Sequence, residues 1–175
     1  MRHHRLLGIA LGLTVALAAC EQQGGEPAGG ADTLDQAADT VAAATLYDRL
    51  GGEAAIAAVV DTLVALASAD TELNFTRQGT ANEWEATPEN VALFKTHMVQ
   101  FVGQATGGPQ VYEGQDMATA HAGMQITNEE FDRLAGHLEA ALDAYSVPDA
   151  EKQELFAIVE TTRSAIVAPA DTAAM

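Results

Sequence analysis

Two histidines lie in apolar stretches of the chain and could bind a metal or a cofactor. The most apolar stripe of one predicted helix holds, at spacings of three, four and seven residues, Phe94, His97, Met98 and Phe101. His121 stands in MATAHAGMQIT, four residues after Met117. An imidazole is costly to bury unless its nitrogens find partners, and a metal is one such partner. Hydrogen bonding to backbone is the other, and spacing alone leaves both interpretations open.

The motifs that hold a metal by protein side chains alone are missing from the sequence, which favours haem. The sequence has no H-E-x-x-H, no Glu-x-x-His pair and no clustered Asp loop. A haem brings four nitrogen ligands and needs only one or two histidines, with apolar side chains against its faces. A cofactor-free docking module and, more weakly, a metal-dependent hydrolase remain as alternatives.

Other candidate groups carry less weight. No G-x-S-x-G elbow is present, and the chain has a single cysteine, Cys20. His137 lies at the edge of an apolar stripe in LAGHLEAAL and is expected to stay away from any cofactor. The remaining histidines, His3 and His4, belong to the N-terminal segment considered next.

The N-terminus has the pattern of an export signal. Arg2 and Arg5 precede an apolar run that ends in LAAC. These four residues resemble the lipobox of bacterial lipoproteins, which implies cleavage after residue 19 and lipid attachment at Cys20. An ordinary cleaved signal is the alternative. The expected location is the cell envelope, facing the periplasm, and Glu21 slightly favours the outer membrane by resemblance.

Charge excludes some partners. The formal net charge is −17, and removal of the signal, with Arg2 and Arg5, would make it −19. Such a chain repels nucleic acid, so no nucleic-acid partner is expected. The acids are dispersed along the chain, which is typical of a solvated surface.

The periodicity predicts an all-α domain. Residues 20–44 read as a lipidated cysteine and a flexible tether, 45–167 as the folded domain, and 168–175 as a disordered tail. Stripes at helical spacing run through residues 56–67, 131–145 and 155–166. Thr87-Pro88 and the capping box Thr127 to Glu130 predict helix starts, and residues 71–86 predict a long loop.

The order of motifs resembles a group I truncated haemoglobin from about Thr45 to Val167. The resemblance rests on LYDRLGGEAAIAAVVDTL, on ATGGPQVYEGQDMATAHAGMQITNEEFDRLAGHL and on ELFAIVETTRSAIV. It implies a shortened globin, with two helices packed over two around haem b. The glycine pairs Gly51-Gly52 and Gly107-Gly108 match those that permit tight turns in the family.

The resemblance also implies roles for individual residues. His121 would be the proximal iron ligand, and His97 would lie on the distal helix, where some members carry a histidine as sixth ligand. For the corner aromatic that packs on haem, Phe75 is the candidate and Trp84 the alternative. The side chains expected to contact the cofactor are Leu63, Val64, Phe75, Phe94, Met98, Phe101, Tyr112 and Met117.

The departures from the family bear on function. Many members stabilise bound oxygen with a distal tyrosine and glutamines, whereas the matching positions here are Val64, Phe94 and Met98. His97 is then the only hydrogen-bond donor expected to face bound oxygen. The loss of the usual donors argues against oxygen storage. The expected activity is reversible binding of oxygen or nitric oxide, or one-electron transfer with an envelope redox partner. Whether the protein also carries out nitric oxide or peroxide chemistry stays open.

Overall fold

The computed structural model describes residues 43–169, and this part of the chain contains helices and no strands. The helices are α1 (Leu46–Arg49), α2 (Gly52–Ala69), α3 (Pro88–Ala105), α4 (Met117–His121), α5 (Asn128–Ala144) and α6 (Asp149–Ile166). The signal segment, Cys20, the tether up to residue 42 and residues 170–175 lie outside the described residues. The expectations for those segments stay predictions.

Side-chain caps set the starts of α3 and α5, as the sequence predicts. The Thr87 hydroxyl accepts a hydrogen bond from the Asn90 amide at 3.2 Å, and Pro88 occupies the first turn of α3. At α5, Thr127 and Glu130 form the complete capping box, with bonds of 3.2 and 3.0 Å. These contacts are local, so they form wherever the segment is placed.

The core lies where α2 meets its neighbours. α2 packs against both α3 and α5, α5 also packs against α6, and α1 contacts α2 and α6. The buried side chains of α2 are Ile56, Val59, Val60, Leu63, Val64 and Ala67. By length and composition α2 could also cross a membrane, but core helices pass the same test. Its apolar character is accounted for by its central place in the core.

The C-terminal end of α5 departs from the expected stripe. Phe131 and Leu142 are buried, whereas Tyr145, the last residue of the predicted stripe, is 49% exposed. Tyr145 is the C-cap, so it leaves the helical period, and its hydroxyl lies 3.2 Å from that of Thr62. The apolar spacing therefore extends to Tyr145, but burial ends at Leu142.

The glycine pairs make the turns at two helix junctions. Gly51 and Gly107 have φ of 93° and 89°, a region that side-chain-bearing residues avoid. Residues 70–87 form the predicted loop, which contains local turns and is also tied to the rest of the fold through Arg77. After α6, the Ala168 amide donates to the Ile126 carbonyl at 2.8 Å, so the expected tail begins with an anchored residue.

Candidate functional site

A cavity of about 670 Å³ opens between the helices, a volume in the range that holds small organic ligands. Every described helix except α1 contributes side chains to its wall, and most are apolar. α3 and α4 both line it but are not among the closely packed helix pairs. The cavity therefore occupies the space that separates the two histidine-bearing helices.

α3 presents its apolar stripe to the cavity. The residues of that stripe, all partly buried and all lining the wall, are Phe94, His97, Met98 and Phe101. The His97 ring meets the edge of Tyr112, with centroids 6.0 Å apart. Within residues 43–169, neither ring nitrogen of His97 has a hydrogen-bond partner. Both nitrogens are free to act on a ligand.

Tyr112 cannot act as the donor in place of His97. Its hydroxyl donates to the Gln115 carbonyl at 2.8 Å, and its amide donates to the side chain of Gln104 at 2.6 Å. Burial, and then the charge of Asp116, raises the pKa of Tyr112 above its ordinary value. The phenol therefore stays protonated and tied to its own loop.

α4 orients His121 towards the same cavity. The Nδ1 atom lies 2.8 Å from the Met117 carbonyl oxygen, one turn earlier in the helix. A carbonyl only accepts, so Nδ1 carries the proton and Nε2 keeps its lone pair. A hydrogen bond from Nδ1 to a backbone carbonyl is the usual way to orient a metal-binding imidazole. His121 thus has the form that an iron ligand requires.

The other polar groups at the wall are already paired. Arg77 binds Glu130 and the Met124 carbonyl, and the amide of Asn90 donates to the Glu85 carbonyl at 2.8 Å. Haem is broad, largely apolar and carries an iron ion. An apolar cavity lined by His97, with both ring nitrogens unpaired, and by His121, with Nε2 unpaired, therefore fits it. In the described part of the chain no three His, Cys, Asp or Glu side chains cluster as a bare metal ion would need.

The structure brings most of the expected contact residues to the cavity. Those that line it are Leu63, Phe75, Phe94, Met98, Phe101, Tyr112 and Met117. Val64 is the exception, because it is 4% exposed, packs in the core and does not reach the wall. Leu63 and Val64 are adjacent and so point about 100° apart on α2. The structure therefore places Val64 in the core and Leu63 at the cavity wall.

Both candidate corner aromatics line the cavity. Phe75 and Trp84 meet edge to face at 5.4 Å, and the indole nitrogen of Trp84 donates to the Phe75 carbonyl at 2.9 Å. Phe94 lies 5.9 Å from both rings, which makes a cluster of three. His137 lies away from the wall, with Nε2 2.8 Å from a carboxylate oxygen of Asp70.

Sequence reasoning missed the ion pair between Arg77 and Glu130 at the cavity wall. Arg77 belongs to the aperiodic loop, where no pattern marks it, and it is 7% exposed. Glu130 was expected only as half of a capping box. Leu93 and Asn90 were missed too, although their helical spacing from His97 could have indicated that they border the same cavity.

Comparisons with known proteins agree with this geometry. The model of the bacterial-like globin family matches residues 45–168. The chain is 32% identical over 123 residues to a group 1 truncated haemoglobin of Nostoc sp., covering 70% of this chain and 97% of the relative. It is 34% identical over 116 residues to that of Mycolicibacterium paratuberculosis, covering 66% of this chain and 79% of the relative.

Solved structures give the same result for the fold. The Fe(III) form of the truncated haemoglobin of Tetrahymena pyriformis superposes with a TM-score of 0.62 at 28% identity, covering 72% of this chain and all of that one. The 2/2 haemoglobin of Synechococcus, solved with covalently attached haem, has a TM-score of 0.60 at 27% identity, covering 71% and 98%.

The fold and site define an all-helical haem protein of the two-over-two globin class. The chain belongs to the bacterial-like globin family and is a truncated globin. Its cofactor is haem b, and its activity rests on the binding of diatomic gases at that haem. The predicted fold and cofactor are therefore confirmed.

Proposed function

We propose that the protein binds oxygen or nitric oxide reversibly at a haem held by His121, with His97 facing the bound gas. The observation that carries this proposal is the pair of imidazoles at one apolar cavity, both with free nitrogens. When bound, haem supplies the iron that takes up the gas. His121 would hold it through Nε2, and its bond to the Met117 carbonyl keeps the ring oriented.

His97 decides how the site works in this proposal. A bound gas that carries partial negative charge is stabilised by a donor, and His97 is the lining donor that remains unpaired within the described residues. If instead His97 itself occupies the sixth iron position, a gas must displace it, which lowers the apparent affinity. One-electron transfer to an envelope partner is then the second candidate function, supported by the same free nitrogens.

Absorption spectra of the haem-loaded full chain test the proposal. We expect His121→Ala to bind haem weakly, and His97→Ala to stay loaded and to lose bound oxygen faster. His137→Ala is the matched control, because that histidine lies outside the cavity wall. A low-spin spectrum that turns high-spin only in His97→Ala would favour electron transfer. No haem uptake by the unmodified chain would leave the cofactor-free docking module.

We also propose that the globin is a lipoprotein of the cell envelope, anchored through Cys20 and facing the periplasm. The support is the sequence LAAC after a charged and apolar signal. In a bacterial host, the wild-type chain should incorporate labelled fatty acid and sediment with membranes. Cys20→Ala should do neither, and unlabelled wild-type protein would refute the anchor.

A further inference from the structure

Every Lys and Arg in the described part of the chain is engaged by a carboxylate. The six are Arg49, Arg77, Lys95, Arg133, Lys152 and Arg163. Residues 43–169 hold nineteen acidic side chains against these six. Haem carries two carboxylates on one edge, and both are ionised at neutral pH. Each positive charge in the described part of the chain therefore already has a carboxylate partner in the protein.

Arg77 is the only one of the six that lines the cavity, and its existing contacts keep it from pairing with a haem carboxylate. It is 7% exposed, and its Nη1 lies 2.7 Å from a Glu130 oxygen. Its Nε also donates to the Met124 carbonyl at 2.9 Å. Turning Arg77 towards a haem carboxylate would leave the half-buried Glu130 charge unpaired, which is more costly than the gain.

The exposed part of the cavity wall lies in the first two turns of α3, and we take it as the mouth of the cavity. Asn90 and Leu93 are the exposed members of the cavity wall, and Leu93 is 56% exposed. The exposed acids Glu85 and Glu89 stand beside Asn90 in the chain. Ionised carboxylates are costly to bury, so the carboxylate edge of a bound haem would be expected at this exposed part of the wall. That edge would lie there beside the apolar side chain of Leu93 and the negative charges of Glu85 and Glu89.

We propose, on the basis of the function proposed above, that this globin exchanges its haem with a second haem-binding protein. Within residues 43–169 the haem carboxylates would find no unpaired Lys or Arg, so retention would rest on the two histidines and the apolar wall. Repulsion by neighbouring acids further favours release. The partner is a protein with an apolar haem cavity and cationic groups at its mouth, because such a site binds the carboxylate edge better.

Transfer of ferric haem from the full chain to excess apomyoglobin tests this inference. Leu93→Lys puts a cation at the mouth and should slow transfer about fivefold, the effect of one exposed ion pair. Val111→Lys adds the same charge at a residue that is 70% exposed and outside the wall, and should leave the rate unchanged. Leu93→Gln, which removes the apolar side chain without adding charge, should not slow transfer.

The dependence of the haem transfer rate on ionic strength gives a second test. Raising ionic strength from about 0.01 M to about 1 M shortens the Debye length from about 30 to about 3 Å. In the wild type this should slow transfer by screening repulsion, and in Leu93→Lys it should speed transfer by screening attraction. Equal rates in all variants, or faster wild-type transfer at high salt, would overturn the exchange proposal alone. Absence of haem uptake would overturn the proposed function itself.

Discussion

Arg77 and Glu130 form a two-point ion pair, with Nη1 and Nη2 of the guanidinium 2.7 and 3.2 Å from the two carboxylate oxygens. The pair joins the loop after α2 to the first turn of α5. Arg77 also donates to the carbonyls of Met124 and Gln125, which follow His121 closely in the chain. The loop and the segment after α4 are thus held together at the wall of the haem cavity.

Loss of this ion pair should be costly. We expect Arg77→Ala to lower the free energy of unfolding by about 3 kcal/mol, because it leaves a half-buried carboxylate and two carbonyls unpaired. Chemical denaturation measures the effect. Arg133→Ala removes an arginine from a more exposed network around Asp70 and should cost far less. Equal losses in the two variants would show that Arg77 is not a structural centre.

The same pair should make stability depend on acid pH. Burial by itself raises the pKa of Glu130, but hydrogen bonds from Arg77 and Thr127 and the charge of Arg77 leave it below its ordinary value of 4.5. A carboxyl group whose pKa is lower in the folded than in the unfolded protein stabilises the fold at pH values above its unfolded pKa. That stabilisation is lost as the pH falls through the folded pKa. The denaturant midpoint of the wild type should fall as the pH is lowered below about 4.5. Glu130→Gln should have a lower midpoint at neutral pH and should lose less of it in acid.

Two glycines should respond to alanine in opposite ways. At Gly108, a Cβ would lie 2.5 Å from Tyr47 Cδ2 and 2.8 Å from the Gly103 carbonyl oxygen, so Gly108→Ala should cost about 1 to 3 kcal/mol. Gly136 lies inside α5 with nothing within 4 Å of that position. Gly136→Ala should therefore stabilise by about 0.5 to 1 kcal/mol. Thermal unfolding of both variants tests the prediction.

Adjacent residues of α2 should separate stability from cofactor binding. Val64→Ala should cost about 2 kcal/mol by loss of core packing and leave the haem absorption spectrum unchanged. Leu63→Ala should destabilise the fold and also alter haem affinity, because Leu63 lines the cavity and Val64 does not. A changed haem affinity in Val64→Ala at full folding would contradict this division.

The sequence alone determined the features that depend on neighbours in the chain. Caps and proline marked the starts of α3 and α5, and periodicity marked the buried faces of α2 and α5. The relation of His121 to Met117 spans four residues, so one helical turn is enough to establish it. The motif order from about Thr45 to Val167 indicated the family and its cofactor, and the family model matches residues 45–168.

Only the tertiary structure decided what lies opposite each face. Period identifies the residues on one side of a helix, but it does not say whether that side meets a close-packed core, as at Val64, or a cavity, as at Leu63. The aperiodic loop offered no pattern, yet its Arg77 pairs with Glu130, 53 residues away. Such contacts depend on how the helices pack, because charge pairing and enclosure are set by distance in space rather than along the chain.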